Sequence, residues 1–157
     1  MSPFLSKTVR LAHLVEDGAL VIALVSMLLM ALLQIAMRNF FDSGFLWAES
    51  FLRILVLWVA MLGAMVATRE RNHINIDILS KFLDPSVMRL LRVLTNLFAA
   101  GVCFVSVYYA VEFIQYEFQD GTIAFASMPV WICQSIIPIG FAVMGLRFLI
   151  TLGLERG

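Results

Sequence analysis

The chain has 157 residues, of which 62% are apolar, with 11 basic and 11 acidic side chains and a mean hydropathy of +0.95. A soluble domain averages about 45–50% apolar residues, so the excess here belongs to a lipid-facing surface. The length allows one compact bundle and argues against a separate soluble domain. Cys103 and Cys133 both lie in apolar runs outside any C-x-x-C pattern, which indicates neither a disulfide framework nor a zinc site. They read as small buried apolar residues.

Residues 3–17 form an amphipathic preface. At ~100° per residue, Phe4, Leu5, Val9, Leu11, Ala12, Leu14 and Val15 gather on one side, opposite Ser6, Arg10, His13 and Asp17. The pattern predicts a helix lying flat at a membrane surface, the alternative being a frayed polar terminus. Span one follows over about 18–37, uncharged throughout. At ~1.5 Å per residue it reaches ~30 Å, the hydrocarbon thickness. It exceeds the ~7–15 residues of a signal-peptide apolar region and no A-x-A site follows, so it reads as a retained helix. Arg38 and Asn39 close it, and residues 40–46 read as a turn.

Span two covers about 47–68. Trp47 suits the interface. Glu49 and Arg53, four apart near the start, share a helix face. They are either a snorkelling interfacial pair or a buried contact to another subunit. Ala60, Gly63, Ala64 and Ala67 make small-xxx-small pairs, which either admit a close helix neighbour or face lipid. The polar stretch after it carries Ile74, Ile78, Leu79, Phe82 and Leu83 on one helical face, and a short interfacial helix is expected over about 73–84.

Asp84-Pro85 is a helix start, an N-cap followed by proline at the first helical position. The helical pattern runs through span three, about 90–111, and on to Gln119, where Gly121 stops it. From Pro85 to Gln119 is ~50 Å, longer than a ~30 Å core, so the helix must tilt or protrude. Tyr108, Tyr109, Phe113, Tyr116 and Phe118 gather at that end like an interfacial aromatic belt. Span four covers about 129–149. Pro129 opens it, Trp131 sits at the interface, and Pro138 is expected to kink it by displacing the bond to the Gln134 carbonyl.

The expected fold is thus an all-α membrane protein of one domain, with four transmembrane helices and short amphipathic interfacial helices. Four spans put both termini on one side. That side holds Lys7, Arg10, Arg69, Arg71, Lys81, Arg89, Arg92, Arg147 and Arg156, while the other holds Arg38, with Arg53 just inside span two. Nine against one predicts cytoplasmic termini. The outer loops carry Asp42, Glu49, Glu112, Glu117 and Asp120.

Little here points to chemistry. A membrane cytochrome needs axial histidines within its spans, and His13 and His73 both belong near the cytoplasmic surface. Outer-loop cysteine pairs, nucleophilic triads and Gly-rich phosphate loops are absent from the sequence. An ion-coupled carrier normally buries an acid, His or Lys near the midplane. Spans one and three have no such group in their centres and span four has only Arg147 at its end, while span one offers Gln34 as its only strongly polar side chain. No catalytic, cofactor-binding, metal or nucleic-acid-binding residue is expected.

The order Trp47-x-Glu49-x-x-x-Arg53, Trp58, Gly63-Ala64, Arg69-x-x-x-His73-x-x-x-Asp77 resembles the small membrane subunit, the Q type, of tripartite ATP-independent periplasmic (TRAP) transporters. Gln34-x-x-x-Arg38-x-x-Phe41, Met128-Pro129-x-Trp131 and Pro138-Ile139-Gly140-Phe141 agree with it, so the resemblance extends over about 18–152. Ser50 stands where a second acid beside Glu49 is expected. The resemblance implies a non-catalytic subunit of the bacterial inner membrane. It implies a large elevator-type membrane subunit as partner, holding the substrate and sodium sites. It also implies a periplasmic binding protein that delivers an organic acid anion, and contact with membrane lipids. The surface helices would fix depth and tilt. The candidate interface or structural residues are Arg38, Trp47, Glu49, Arg53, Trp58, Gly63, Arg69, His73, Asp77 and Pro138. Arg69, His73 and Asp77 fall on one helical face, as a cytoplasmic polar network or as solvated charges. The rival readings are a small autonomous carrier acting as an oligomer and a membrane redox anchor.

Overall fold

The computed structural model describes residues 3–41, 44–45, 47–70, 84–125 and 127–154. Four of its helices are long and apolar enough to cross a membrane. The first, α1, runs unbroken from Pro3 to Phe41. The amphipathic preface is therefore helical but continuous with span one. No proline interrupts the register at residues 17–18, and Gly18 sits in open space, so each backbone bond simply hands on to the next turn. At ~1.5 Å per residue its 39 residues measure ~58 Å, about twice the hydrocarbon thickness.

The second helix, α2, spans Ala48–Glu70 and α3 spans Pro85–Asp120. Both ends of α3 follow from local signals. Asp84 holds the extended conformation of an N-cap (φ −60°, ψ 144°) ahead of Pro85, and Gly121 closes the helix in the left-handed region at φ 61°. The expected interfacial segment over 73–84 lies outside the described residues apart from Asp84, as do His73 and Asp77.

A small antiparallel hairpin, β1 (Ile123–Phe125) and β2 (Met128–Pro129), joins α3 to the last span, with Ser127 at φ 70° in its turn. Its strands of three and two residues are too short to carry a periodic signal in the sequence. The last span is two helices, α4 (Val130–Gln134) and α5 (Ile136–Leu154). The break lies at Ser135, three residues before Pro138. A proline ring displaces the carbonyl four residues back, here that of Gln134, so the distortion falls one turn upstream of the proline itself. Ser135 tightens the turn by donating from its backbone N–H at 3.3 Å and its Oγ at 2.7 Å to the Ile132 carbonyl.

The substantial helix contacts run in the order α1–α2–α5–α3. The core is one cluster of Leu62 and Met65 from α2, Ala100 and Cys103 from α3, and Ile136, Met144 and Phe148 from the last span, with Ala19 and Leu20 of α1 packed against it. Glycine brings α5 close to its neighbours. A Cβ on Gly145 would stand 3.1 Å from that of Cys103, and one on Gly140 would stand 2.5 Å from the Met61 terminal methyl.

Candidate structural and interface sites

Polar side chains gather at the two ends of the bundle. At the end shared by the start of α1 and the ends of α2 and α5, four charges from three helices meet. Arg147 of α5 reaches both oxygens of Glu16 at 2.6 and 2.7 Å. Arg69, in the last turn of α2, donates to Asp17 at 2.9 and 3.2 Å and stands 4.0 Å from Glu16. Glu16 is 11% exposed and both arginines 19%, whereas Asp17 keeps 48% of its side chain open. Arg147 also donates to the Met65 carbonyl near the α2 C-terminus, where the negative end of the helix dipole favours a cation. Two acids and two arginines make the cluster formally neutral, which limits the cost of burying it.

Arg69 meets Glu16 and Asp17 across the bundle, while His73 and Asp77, expected on one helical face with it, lie outside the described residues. Glu16 and the role of Arg147 were missed. The available signal was the coincidence of an acidic pair at the start of span one with the single charge inside span four, both at the same membrane level.

At the opposite end, Arg53 pairs with Glu49 at 2.7 Å along α2, and the two side chains are 74% and 71% exposed. Beside them Trp47 stacks on Phe125 of the hairpin (centroids 6.4 Å, interplanar 24°), and Phe51 meets the same ring edge-on at 5.1 Å. These aromatics hold β1 against the start of α2. Arg38, near the end of α1, is exposed. Further in, Trp58 donates its indole N–H to the Cys133 carbonyl at 2.9 Å, tying α2 to α4 just before the Ser135 break. Pro138 is half-buried in α5. Among the described residues Gly63 has no atom within 4 Å of a Cβ position, so it serves no close approach to them. That role falls to Gly140 and Gly145.

Comparison with known proteins supplies the context for this geometry. Residues 27–155 match the profile of the DctQ component of tripartite ATP-independent periplasmic transporters. The chain is 30% identical over 141 residues to the sialic acid TRAP transporter permease protein SiaT of Haemophilus influenzae, covering 84% of this chain and 21% of that protein. It is 29% identical over 100 residues to the ectoine TRAP transporter small permease protein TeaB of Halomonas elongata, covering 63% of this chain and 52% of that one. It is also 29% identical over 114 residues to the C4-dicarboxylate TRAP transporter small permease protein DctQ of Rhodobacter capsulatus, covering 70% of this chain and 49% of that one. The matched region thus spans about half the length of the two small permeases and a fifth of the sialic acid permease.

Proposed function

The chain belongs to the DctQ component family of tripartite ATP-independent periplasmic transporters, and from that premise we propose that it is a non-catalytic small permease subunit bracing a large elevator-type partner. In this reading the large subunit carries out sodium-coupled uptake of an organic acid anion, which a periplasmic binding protein delivers. The chain sits in the bacterial inner membrane with both termini in the cytoplasm.

One observation carries the reading. Between the charged cluster at one end and the Glu49–Arg53 pair at the other, the spans contain no Asp, Glu, His, Lys or Arg over 18–37, 54–68, 93–111 and 130–146. A carrier that couples to an ion by itself needs such a group near the midplane. A brace does not; it needs rigid helices locked to one another, and the Glu16–Arg147 and Arg69–Asp17 pairs supply such locks. The names of relatives at similar identity carry sialic acid, ectoine and C4-dicarboxylates, which fits a subunit that does not choose the substrate.

The test is co-purification. The tagged chain is expressed with its neighbouring reading frames, extracted in mild detergent and reconstituted. A large permease recovered in fixed ratio, with uptake that requires both chains, supports the brace. A stable oligomer of this chain alone that transports in liposomes overturns it and leaves the autonomous carrier.

A further inference from the structure

The charged cluster lies at a depth where three of the helices are still apolar. A Cβ on Gly145 would stand 3.1 Å from that of Cys103, which sets α5 and α3 at one level there. At the standard rise Arg147 lies ~3 Å from that level toward the cytoplasmic end, and Arg92, the first charge of α3 in that direction, lies ~16 Å from it. Between those two depths α3 exposes Leu94, Leu97 and Phe98. Beyond Arg147, α5 carries no charge over 148–154, and Glu155 comes ~12 Å further on. The one hydroxyl in that stretch, on Thr151, donates to the Arg147 carbonyl at 2.9 Å. Beyond Glu16, α1 exposes Leu11, Leu14 and Val15, and its next charge, Arg10, is ~9 Å away. The short helix is α2. Arg147 reaches the carbonyl of its Met65, and it ends at Glu70, ~8 Å further.

Three helices thus place the apolar boundary about 10 Å past the cluster, at Arg10, Arg92 and Glu155. A surface helix over 3–17 needs a break near Gly18, and α1 has none. From Leu11 to Met37 α1 measures ~39 Å, which a ~30 Å layer accepts at a tilt of ~40°, the upper end of the range for membrane helices. The sides of α1 agree with an upright placement. At ~100° per residue Arg10, His13 and Asp17 share a sector of ~60° that adjoins Glu16, while Leu11, Leu14 and Val15 lie on the other side. Glu16 and Asp17 meet Arg69 and Arg147, so the polar side faces α2 and α5. Asp17 is half-exposed there, at a depth where a carboxylate faces protein or water and not hydrocarbon.

We propose that the cluster is the floor of a water-filled notch in the cytoplasmic leaflet. From Arg10 onward α1 stands in the membrane as one wall, with its polar side wet and its leucines in lipid. The notch opens beneath the end of α2, where α1 and α5 continue. Water in it solvates Asp17 and lets four charged side chains persist about 10 Å inside the apolar boundary. The amphipathic pattern of residues 10–17 is then that of a cavity wall, and not of a helix lying on the surface. The notch goes beyond the brace and would belong equally to an autonomous carrier.

The test uses spin labels on single and double cysteine variants in proteoliposomes, each first checked for a parent-like size-exclusion profile. The native Cys103 and Cys133 are buried, so the labelled parent serves as the blank. Leu11→Cys and Leu29→Cys lie on one side of α1, and their labels are expected ~27 Å apart by double electron resonance, against ~20 Å for a right-angle bend at Gly18. Labels at residues 11 and 14 should collide with oxygen, which enters lipid, in preference to a water-soluble nickel chelate, as should a label at Leu94→Cys. A label at His13→Cys should show the reverse preference. The shorter distance overturns the upright wall. The longer distance with nickel preferred at 11 and 14 puts α1 in the cytoplasm and the cluster at the surface, which overturns the notch. The longer distance with oxygen preferred at 13 means a dry cluster and overturns it too. Co-purification of the permease with the parent reads the brace separately, so either can fail alone.

Discussion

Glu16 and Arg147 lie 131 positions apart and meet at 2.6 Å, mostly shielded from solvent. A buried ion pair adds little over an apolar isostere, but losing one partner strands the other. Glu16→Gln is therefore expected to destabilise the isolated chain by about 2–4 kcal/mol, since Arg147 keeps its charge and loses its counter-ion. The thermal midpoint in detergent measures this. Glu16→Gln combined with Arg147→Met should recover more than half of the loss, because the second change removes the stranded charge. Additive losses in that cycle would mean that the two residues act independently. Glycines give a second contrast at this scale. Gly145→Val forces a side chain into the Cys103 and Phe104 contact and should cost about 1–3 kcal/mol by overpacking. Gly63→Val meets no atom of the described residues and should leave the midpoint of the isolated subunit within about 0.5 kcal/mol of the parent, as surface changes do.

Among the elements, those bounded by local chemistry were legible and those set by tertiary geometry were not. The start of α3 follows from Asp84-Pro85 and its end from Gly121, two signals that act over a few residues. The continuity of α1 was not legible, because a change from amphipathic to wholly apolar pattern marks a change of environment and not a break in hydrogen bonding. The charged cluster was legible only as an acidic pair and a lone arginine at one membrane level, because spacing along the chain finds partners one and two turns away and it is the packing order α1–α2–α5–α3 that adds Asp17 to Arg69 from 52 positions upstream. Pro138 was read correctly as a distortion, with its position displaced to Ser135. Pro138→Ala restores an N–H facing the Gln134 carbonyl and removes the ring that displaces it. The variant should join α4 and α5 into one helix and slow amide exchange over residues 135–139. Unchanged exchange there would assign the break to the Ser135 side-chain bond to Ile132 instead.

For the molecule as a whole, the charged cluster and the chain's polarity constrain one another. An even number of membrane-length helices returns the chain to the side where it began, and the Glu16–Arg147 bond holds the two terminal helices at one level there. The loops around Gly44 and Gly121 then share the opposite side. Nine of the eleven basic residues belong to the terminal side and its adjoining segments, and positive charge near span ends is retained in the cytoplasm. A fluorescent protein fused after Gly157 should therefore be bright. Alkaline phosphatase, which is active only outside the cytoplasm, should be active when fused near Gly44 or Gly121 and silent at the C-terminus. The opposite pattern would invert the chain and set Arg69 and Arg147 on the periplasmic side. Activity at the C-terminus and near Gly44 alike would mean an odd number of crossings, which the Glu16–Arg147 contact does not permit. The Arg53 end is the outer end in this orientation, so the exposed Glu49–Arg53 pair meets the periplasmic face and the part-buried charge cluster closes the bundle at the cytoplasmic one.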